Sequence, residues 1–283
     1  MRGEEAMNKG RVIEYMGIEF TVEYSKKFDK DLETVREILD KGIENLTHAD
    51  RIALLRVYSP AYHDGGKIEG ITSYDSSATS CGFCQKCRHA AEGKANHICG
   101  YCYDYAQEHS FKGVNVRNRH SLNMLIMQSV EFTREELELL ECSKIDRVNS
   151  SGDTPNVTYA VNMLNIAHVN PMAHFAYWAK NILAVQKAVE KVGKPQNMTL
   201  VQSSCILNKA VKLAEYFDIV FTVYTTKEAV DEALANGAGE CNGKKCQDCG
   251  YKCYLNGWAS GQNVAEYLRV NKAQRAELEK ASR

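Results

Sequence analysis

The spacing of apolar residues predicts a hairpin, a helix and a strand in the first sixty residues. The segments RVIEY and IEFTVEYS alternate polar and apolar positions around a Met-Gly turn, which is the pattern of a β-hairpin. Apolar residues then recur at helical spacing over residues 29–46 and predict an amphipathic helix. The apolar run over residues 51–60, which ends at a proline, predicts a buried strand.

From about residue 120 onward, strand-like and helix-like segments alternate. An apolar run of undecided type is followed by a capping box at Thr133 and Glu136. The strand-like segments are then IDRVNSS, AHFAYWA, MTLVQSS and IVFTVYT, and the helix-like segments are residues 155–168, ILAVQKAVEKV, NKAVKLAEYF and TKEAVDEALANG. This alternation predicts an α/β fold with a parallel sheet, and we expect a full or partial (β/α) barrel rather than an open sheet. Residues 261–283 predict a charged outer helix.

The carboxyl ends of the predicted strands are polar. In both barrels and open α/β sheets, active sites collect at these ends. The same residue types also form ordinary turns and helix caps, so the pattern has two compatible interpretations. The residues concerned are Ser150, Ser151, Gly152, Asp153, Lys180, Ser203, Ser204, Thr225 and Thr226.

The sequence divides into three segments that we expect to form one compact unit. Residues 1–80 hold the hairpin, the first helix and a long lead-in; residues 81–240 hold the first cysteine run and the (β/α) core; residues 241–283 hold the second cysteine run and the terminal helix.

Charge and hydropathy limit the partners. The 35 basic and 36 acidic residues nearly cancel, so no global electrostatic footprint for nucleic acid is present, although nucleic acid is not excluded as a partner. No apolar run approaches the length of a membrane span, so no membrane partner is expected. The first residues lack the apolar core of a signal peptide, which predicts a cytoplasmic protein. The candidates for local phosphate contacts are Arg117, Arg119, His120, Lys244 and Lys245, although short basic groups more often form solvated surface.

Nine of the eleven cysteines fall in two short runs. Four thiolates in one loop are enough for a tetrahedral zinc site or a 4Fe-4S cluster, so both runs are predicted to bind metal. Cys142 and Cys205 stand alone, and isolated cysteines are predicted to be small buried hydrophobes. The first run comprises Cys81, Cys84, Cys87, Cys99 and Cys102, and the second comprises Cys241, Cys246, Cys249 and Cys253.

Iron-sulfur clusters and zinc both remain open from the spacing. Disulfides are disfavoured because a chain of this length can bury a core without them. The pairs Cys84-x2-Cys87 and Cys99-x2-Cys102 are typical of zinc knuckles, whereas the second run, with gaps of four, two and three residues, favours an iron-sulfur cluster.

The end of the first run, Cys99-Gly-Tyr101-Cys102, resembles the Cys-x-aromatic-Cys step of radical S-adenosylmethionine enzymes. The resemblance implies a cluster held by three thiolates, Cys99 and Cys102 with Cys81 or Cys84, whose fourth iron binds S-adenosylmethionine. It also implies that Tyr101 packs near the adenine, and that Ser151 and Asp153 meet the methionyl ammonium. The usual leading Cys-x3 spacing is absent.

A wider pattern, over roughly residues 70–260, is similar to the gene product 88-like proteins of phages and mobile elements. That family looks like a truncated radical-enzyme barrel, so the resemblance implies metal and fold rather than a reaction. The extra Cys84 and Cys87 depart from its pattern. The similar segments are TSC, CGYCYDYA, RNRHSLNML, RVNSSGD, FAYWAK, VQSS and CNGKKCQDCGYKCY.

These observations lead to one main functional hypothesis and two alternatives. The main hypothesis is an iron-sulfur enzyme of the radical S-adenosylmethionine type. An auxiliary cluster lies at the second run, an electron donor is its partner, and its substrate, small or macromolecular, is unidentified. The alternatives are a zinc- or cluster-stapled protein that binds DNA or another protein, and an electron-transfer or redox protein. Hydrolase, Walker and dinucleotide motifs are absent from the sequence.

Overall fold

A computed structural model describes residues 10–268 except 95, 111, 112, 242 and 244. Its helices are α1 (Lys26–Leu39), α2 (His48–Val57), α3 (Gly82–Ala91), α4 (Tyr103–His109), α5 (Val114–Ser129), α6 (Arg134–Leu137), α7 (Val157–Val169), α8 (Ile182–Val192) and α9 (Lys227–Ala235). Its strands are β1 (Arg11–Tyr15), β2 (Ile18–Val22), β3 (Ala61–Tyr62), β4 (Thr72–Tyr74), β5 (Ile145–Val148), β6 (His174–Ala179), β7 (Met198–Ser203), β8 (Ile219–Tyr224), β9 (Gly239–Cys241) and β10 (Asn263–Tyr267).

The main sheet has eight strands in the order β3-β4-β5-β6-β7-β8-β10-β9. Every neighbouring pair from β4 onward is parallel, and only β3 runs antiparallel to its neighbour. The run from β4 to β8 follows chain order, as in a (β/α) barrel. The α/β class and the parallel sheet are confirmed. The sheet is open in the described part of the chain, with β3 and β9 as its edges, so closure into a barrel is not shown.

The two faces of the sheet have different coverings. Val148, Tyr177 and Leu200 face the main hydrophobic core, which includes buried residues of α5, α7 and α8. The opposite face, here called the inner face, carries Trp178 and Phe221. Residues 245–260, here called the cysteine loop, pack on this inner face through Tyr254, Trp258 and two cysteines. The second cysteine run is therefore held against the sheet.

The amino-terminal hairpin and the amphipathic helix form as predicted. β1 and β2 pair across a turn in which Met16 and Gly17 both have positive φ values, 50° and 75°. The helix α1 buries the predicted stripe but ends at Leu39, earlier than the apolar spacing indicates. Gly42, at φ 86°, turns the chain after it.

The predicted strand over residues 51–60 is wrong, because residues 51–57 lie in helix α2. Thr47 caps the helix: its hydroxyl accepts a hydrogen bond from the Asp50 backbone N–H, and its own N–H donates to the Asp50 carboxylate. Such a capping box fixes a helix start. The apolar run that follows buries only Leu54 and Leu55 along one side of the helix.

Three further helix predictions need correction. The capping box at Thr133 is present, but the helix α6 that it opens is one turn long, and α7 begins after Asn156 rather than at Pro155. Residues 208–217 contain no helix. There, the Gln202 side chain accepts from the Ala214 N–H and donates to the Lys212 carbonyl, which occupies backbone groups that a helix would pair internally.

The carboxyl-terminal segment begins with a strand instead of the predicted helix. β10 pairs in parallel with β8 on one side and with β9 on the other. The remainder of the predicted helix, residues 269–283, lies outside the described residues. The apolar run of undecided type is helix α5. None of the described helices is both long and apolar enough to cross a bilayer.

The burial of Asp146 on β5 makes the stability of the folded protein depend on pH. Its carboxylate is fully buried; one oxygen accepts from the Ser143 N–H at 3.2 Å, and the other has no partner among the described residues. Burial raises the pKa of Asp146 to about 7. Because the pKa is higher in the folded state, the folded protein loses stability as pH rises from about 4 to 7, by up to about 4 kcal/mol.

We expect the free energy of unfolding to fall much less in Asp146→Asn than in the native protein when the pH is raised from 5 to 8. Urea unfolding at the two pH values measures this difference. The exposed control Asp64→Asn should keep the native pH dependence. Equal pH dependence in Asp146→Asn and the native protein would contradict the assignment.

Candidate functional site

Polar side chains meet at the end of the sheet where the parallel strands have their carboxyl ends, here called the carboxyl edge. The loop after β5 supplies Gly152 and Asp153, and the residue after β6 is Lys180. Three cavities adjoin here, and both Lys180 and Asp104 line all three. The main cavity, about 200 Å³, lies between the inner face and the cysteine loop. A smaller one of about 70 Å³, here called the thiol cavity, lies beside the first cysteine run.

The second cysteine run lines the main cavity with all four of its members. The Trp258 indole N–H donates to the Cys253 sulfur at 3.3 Å, and the Cys241 thiol donates to a Glu266 carboxylate oxygen at 3.9 Å. Burial raises the pKa of Cys253 to about 12 and also raises the pKa of Cys246. Without a cation, these two groups are therefore neutral thiols; a bound metal ion would reverse that preference.

The first run contributes four cysteines to the thiol cavity. Cys84, Cys87, Cys99 and Cys102 line it together with Lys180. The side chains of Cys87 and Cys99 interact with each other. Two Cys-x2-Cys pairs from separate elements, α3 and the turn before α4, therefore face one space.

Cys205 joins this group, contrary to its prediction as an isolated hydrophobic residue. Its side chain interacts with both Cys87 and Cys99. The backbone explains the approach, because the Ile98 N–H donates to the Cys205 carbonyl at 2.9 Å. The interactions with Cys87 and Cys99, together with the charge of Lys180, lower the pKa of Cys205 to about 3, against the effect of burial. No spacing in the sequence signals a contact between segments more than a hundred residues apart.

Cys81 and Cys142 take other positions. Cys81 is fully buried in the hydrophobic core, and its thiol donates to the Asp153 carbonyl at 3.8 Å. Its side chain also interacts with Cys84. Cys142 packs against the core, with its sulfur 2.9 Å from the Tyr74 hydroxyl. Cys142 fits its prediction as a small apolar residue, and Cys81 is the first-run member set apart from the cavities.

A buried polar network around His120 supports the loop after β5. His120 lies between the carboxylates of Asp75, at 3.8 Å, and Glu108, at 3.0 Å. Asp75 also accepts from the N–H groups of Ser150 and Ser151. Burial alone would raise the pKa of Asp75, but His120 and these hydrogen bonds lower it below its usual value. The network holds in place the loop that lines the cavities.

The basic residues considered for phosphate contacts have other surroundings. His120 is buried in the network above, and Arg117 donates to the Thr21 hydroxyl. Lys245 forms a salt bridge with Glu69, and Lys244 lies outside the described residues. Arg117, His120 and Lys245 therefore already have protein partners.

A family model described as gene product 88 matches residues 50–271. The chain belongs to the gene product 88 family. The matched region contains both cysteine runs, Cys205 and Lys180. No curated protein and no solved structure matches the chain significantly.

The gene product 88 assignment confirms the wider resemblance, while metal binding stays a prediction. In the part of the chain that the structure describes, no three His, Cys, Asp or Glu side chains already have a metal-coordinating arrangement. The donor chemistry nevertheless suits a thiophilic metal, because eight cysteines lie at two adjoining cavities and a ninth, Cys205, contacts two of them.

The three residues predicted to bind S-adenosylmethionine have different surroundings in this gene product 88 protein. Asp153 is buried and accepts from the backbone N–H groups of Lys180 and Asn181, so it anchors the turn between β6 and α8. The Ser151 hydroxyl is buried and has no hydrogen-bond partner within the described ranges. Tyr101 packs with Leu207 along an outer groove. Their role in cofactor binding stays a prediction.

Proposed function

We propose that the chain is an iron-sulfur protein that carries two cysteine-ligated groups at the carboxyl edge of its parallel sheet. The observation that carries the proposal is the convergence of two cysteine groups on adjoining cavities that share Lys180 and Asp104. The four cysteines of the second run would hold one group. Cys87, Cys99 and Cys205 would hold the other, with Cys84 and Cys102 beside them.

The surroundings of the second run favour a cluster over a single ion. A structural zinc ion needs four sulfurs closed around it at about 2.3 Å. Here the four cysteines line a wider cavity and, among the described residues, do not close around one point. The Trp258 N–H bound to the Cys253 sulfur is also the kind of contact that sets the reduction potential of an iron-sulfur cluster.

The finer part of the proposal is a radical S-adenosylmethionine-like activity at the first group. It is supported by the three interacting thiols, since a cluster held by three thiolates keeps one iron open. When bound, such a cluster supplies the electron that cleaves S-adenosylmethionine. Lys180, whose side chain is 24% exposed at the cavity wall, would place a positive charge beside the thiolates. Asp153 fixes the backbone of that lysine.

A second candidate function is a zinc-stapled binding protein. The observation that favours it is the pairing of Cys84-x2-Cys87 and Cys99-x2-Cys102 across the thiol cavity, since such knuckles are typical of structural zinc sites. In that case the metal would only fix loops that contact a macromolecular partner.

Cysteine variants test which thiols are ligands. We expect Cys249→Ala to lose about half of the bound iron and sulfide, because it removes a ligand of the second group. Cys81→Ala should keep the native content, because that thiol lies in the core. Iron and sulfide are measured per chain after anaerobic purification. Native metal content in Cys249→Ala would contradict the assignment of Cys249 as a ligand. Loss of iron and sulfide in a folded Cys81→Ala variant would show that Cys81 is a ligand rather than a core residue.

A further inference from the structure

Arg147 is a cation of the main cavity that has no ion-pair partner among the described residues. Its guanidinium carbon lies 4.0 Å from the centre of the Trp178 ring. Within the described residues its buried Nε has no hydrogen-bond partner and the side chain forms no salt bridge. The other two cations of the cavity differ, because Lys67 pairs with Glu266 and Lys180 lies 3.9 Å from an Asp153 oxygen.

The inner face explains why this arginine is held in place. Arg147 lies opposite Ala176 in the sheet register, so it projects on the same side as Trp178. A small neighbour on β6 leaves room for the guanidinium to lie over the indole ring. Stacking on an aromatic face fixes the plane of the guanidinium and costs none of its N–H donors.

We propose that the main cavity binds a small anionic molecule through Arg147. An oxyanion group, carboxylate or phosphate, would accept two parallel hydrogen bonds from the planar guanidinium. Asp75 and Asp104 favour the charged guanidinium from beyond salt-bridge distance, and an anionic ligand would give it the direct partner that the described part of the fold does not supply. This site goes beyond the proposed function: the guanidinium and the Trp178 ring, not the cysteine sulfurs, would hold the ligand, so its binding needs no bound metal.

The other residues of the cavity indicate what the rest of the ligand, apart from its anionic group, is like. Trp178, Phe221, Tyr254 and Trp258 form an aromatic wall beside Arg147. Pockets of this type bind an apolar or flat body and use a few polar groups for orientation. A single ring that carries one anionic group fits this description.

Charge balance for thiolates is the competing role for Arg147. Cys246 lines the same cavity, and Arg147 offsets part of the rise that burial gives to the pKa of its thiol. If this were the only role, removing the arginine would weaken metal retention and leave anion binding unchanged.

Binding of model anions to the purified full chain tests the proposal. The probes are benzoate and phenyl phosphate, with benzamide as the neutral isostere of benzoate. The chain has two tryptophans, and both line the main cavity, so tryptophan fluorescence reports on this site, with calorimetry as a second readout. We expect saturable binding of at least one anion and at least tenfold weaker binding of benzamide. The tighter of the two anions identifies the oxyanion.

Arginine variants locate the binding. Arg147→Gln should weaken anion binding at least tenfold, and Arg147→Lys should lie between it and the native protein because it keeps the charge but not the planar donors. Arg36→Gln is the matched control, since Arg36 stacks on Tyr15 at 5.3 Å in the amino-terminal part of the chain. It should bind as the native protein does.

Three results would overturn the proposal: equal binding of benzoate and benzamide, no saturable binding of either anion, or native anion affinity in Arg147→Gln. The benzamide comparison uses the native chain, so it holds even if Arg147→Gln fails to fold. Metal content is measured on the same preparations. Anion binding without iron would refute the proposed function and support this site, whereas loss of metal with native anion affinity in Arg147→Gln would assign Arg147 to charge balance.

Discussion

Replacing Cys205 with alanine is expected to remove about half of the iron and sulfide from the purified protein. Cys205 follows β7, and its side chain interacts with Cys87 and Cys99 from the first run. If these three thiolates hold the first group, a chain with only two of them cannot retain it. The second group, at the cysteine loop, should remain.

Cys142→Ala is the matched control for this prediction. Both cysteines are isolated in the sequence, and neither belongs to a run. Cys142 contacts the Tyr74 hydroxyl and the core, and lines none of the three cavities described above. Its replacement should keep the native iron and sulfide content. Equal metal content in the two variants would remove Cys205 from the ligand set.

Gly152→Ala is expected to cost about 3 kcal/mol or more in the free energy of unfolding. Gly152 has φ 71°, where an alanine is strained by about 1–2 kcal/mol. A Cβ atom there would lie 2.2 Å from the Ser76 hydroxyl oxygen and 2.4 Å from the Ser76 carbonyl oxygen. Relief of this overlap requires a backbone shift, which typically costs a further 1–3 kcal/mol or so.

The shift would also reach the site. Ser76 donates to the Asp153 carbonyl and accepts from the Asp153 N–H, so displacing it moves the loop that lines both cavities. We therefore expect Gly152→Ala to lose ligand and metal binding as well as stability. Chemical denaturation and metal analysis measure the two effects.

Gly237→Ala separates the effect of backbone conformation from that of crowding. Gly237 follows α9 at φ 88°, and a Cβ atom added there would have no described neighbour within 4 Å. Its replacement should cost about 1–2 kcal/mol and leave metal content unchanged. Equal stability losses in the two glycine variants would show that the contact with Ser76 is unimportant.

The sequence predicts many elements of this fold correctly because residues close in sequence determine them. The hairpin around Gly17, the stripe of α1 and the alternation from β5 to α9 follow from residues close in sequence. The errors arise where distant or capping contacts decide. The capping box at Thr47 overrides the strand-like pattern of α2. Gln202 holds residues 208–217 out of a helix from a neighbouring strand.

Some residues of the candidate site can likewise be identified from the sequence, and others cannot. The cysteine runs and the polar strand ends can be identified from sequence, because spacing and strand boundaries are local. Cys205 and Arg147 cannot, since their importance depends on sheet order. In the sequence, Arg147 is an ordinary polar residue of a short predicted strand. Only the parallel pairing of β5 with β6 places it over Trp178. The inner face likewise depends on the cysteine loop returning to cover it.

Quantification of iron, sulfide and zinc in anaerobically purified protein, with an electron paramagnetic resonance spectrum of the reduced sample, tests the central claim most directly. The account predicts iron and sulfide sufficient for two clusters. A spectrum that changes on addition of S-adenosylmethionine would support the radical-enzyme part of the proposal. Stoichiometric zinc without sulfide would contradict the iron-sulfur assignment and favour a zinc-stapled binding protein.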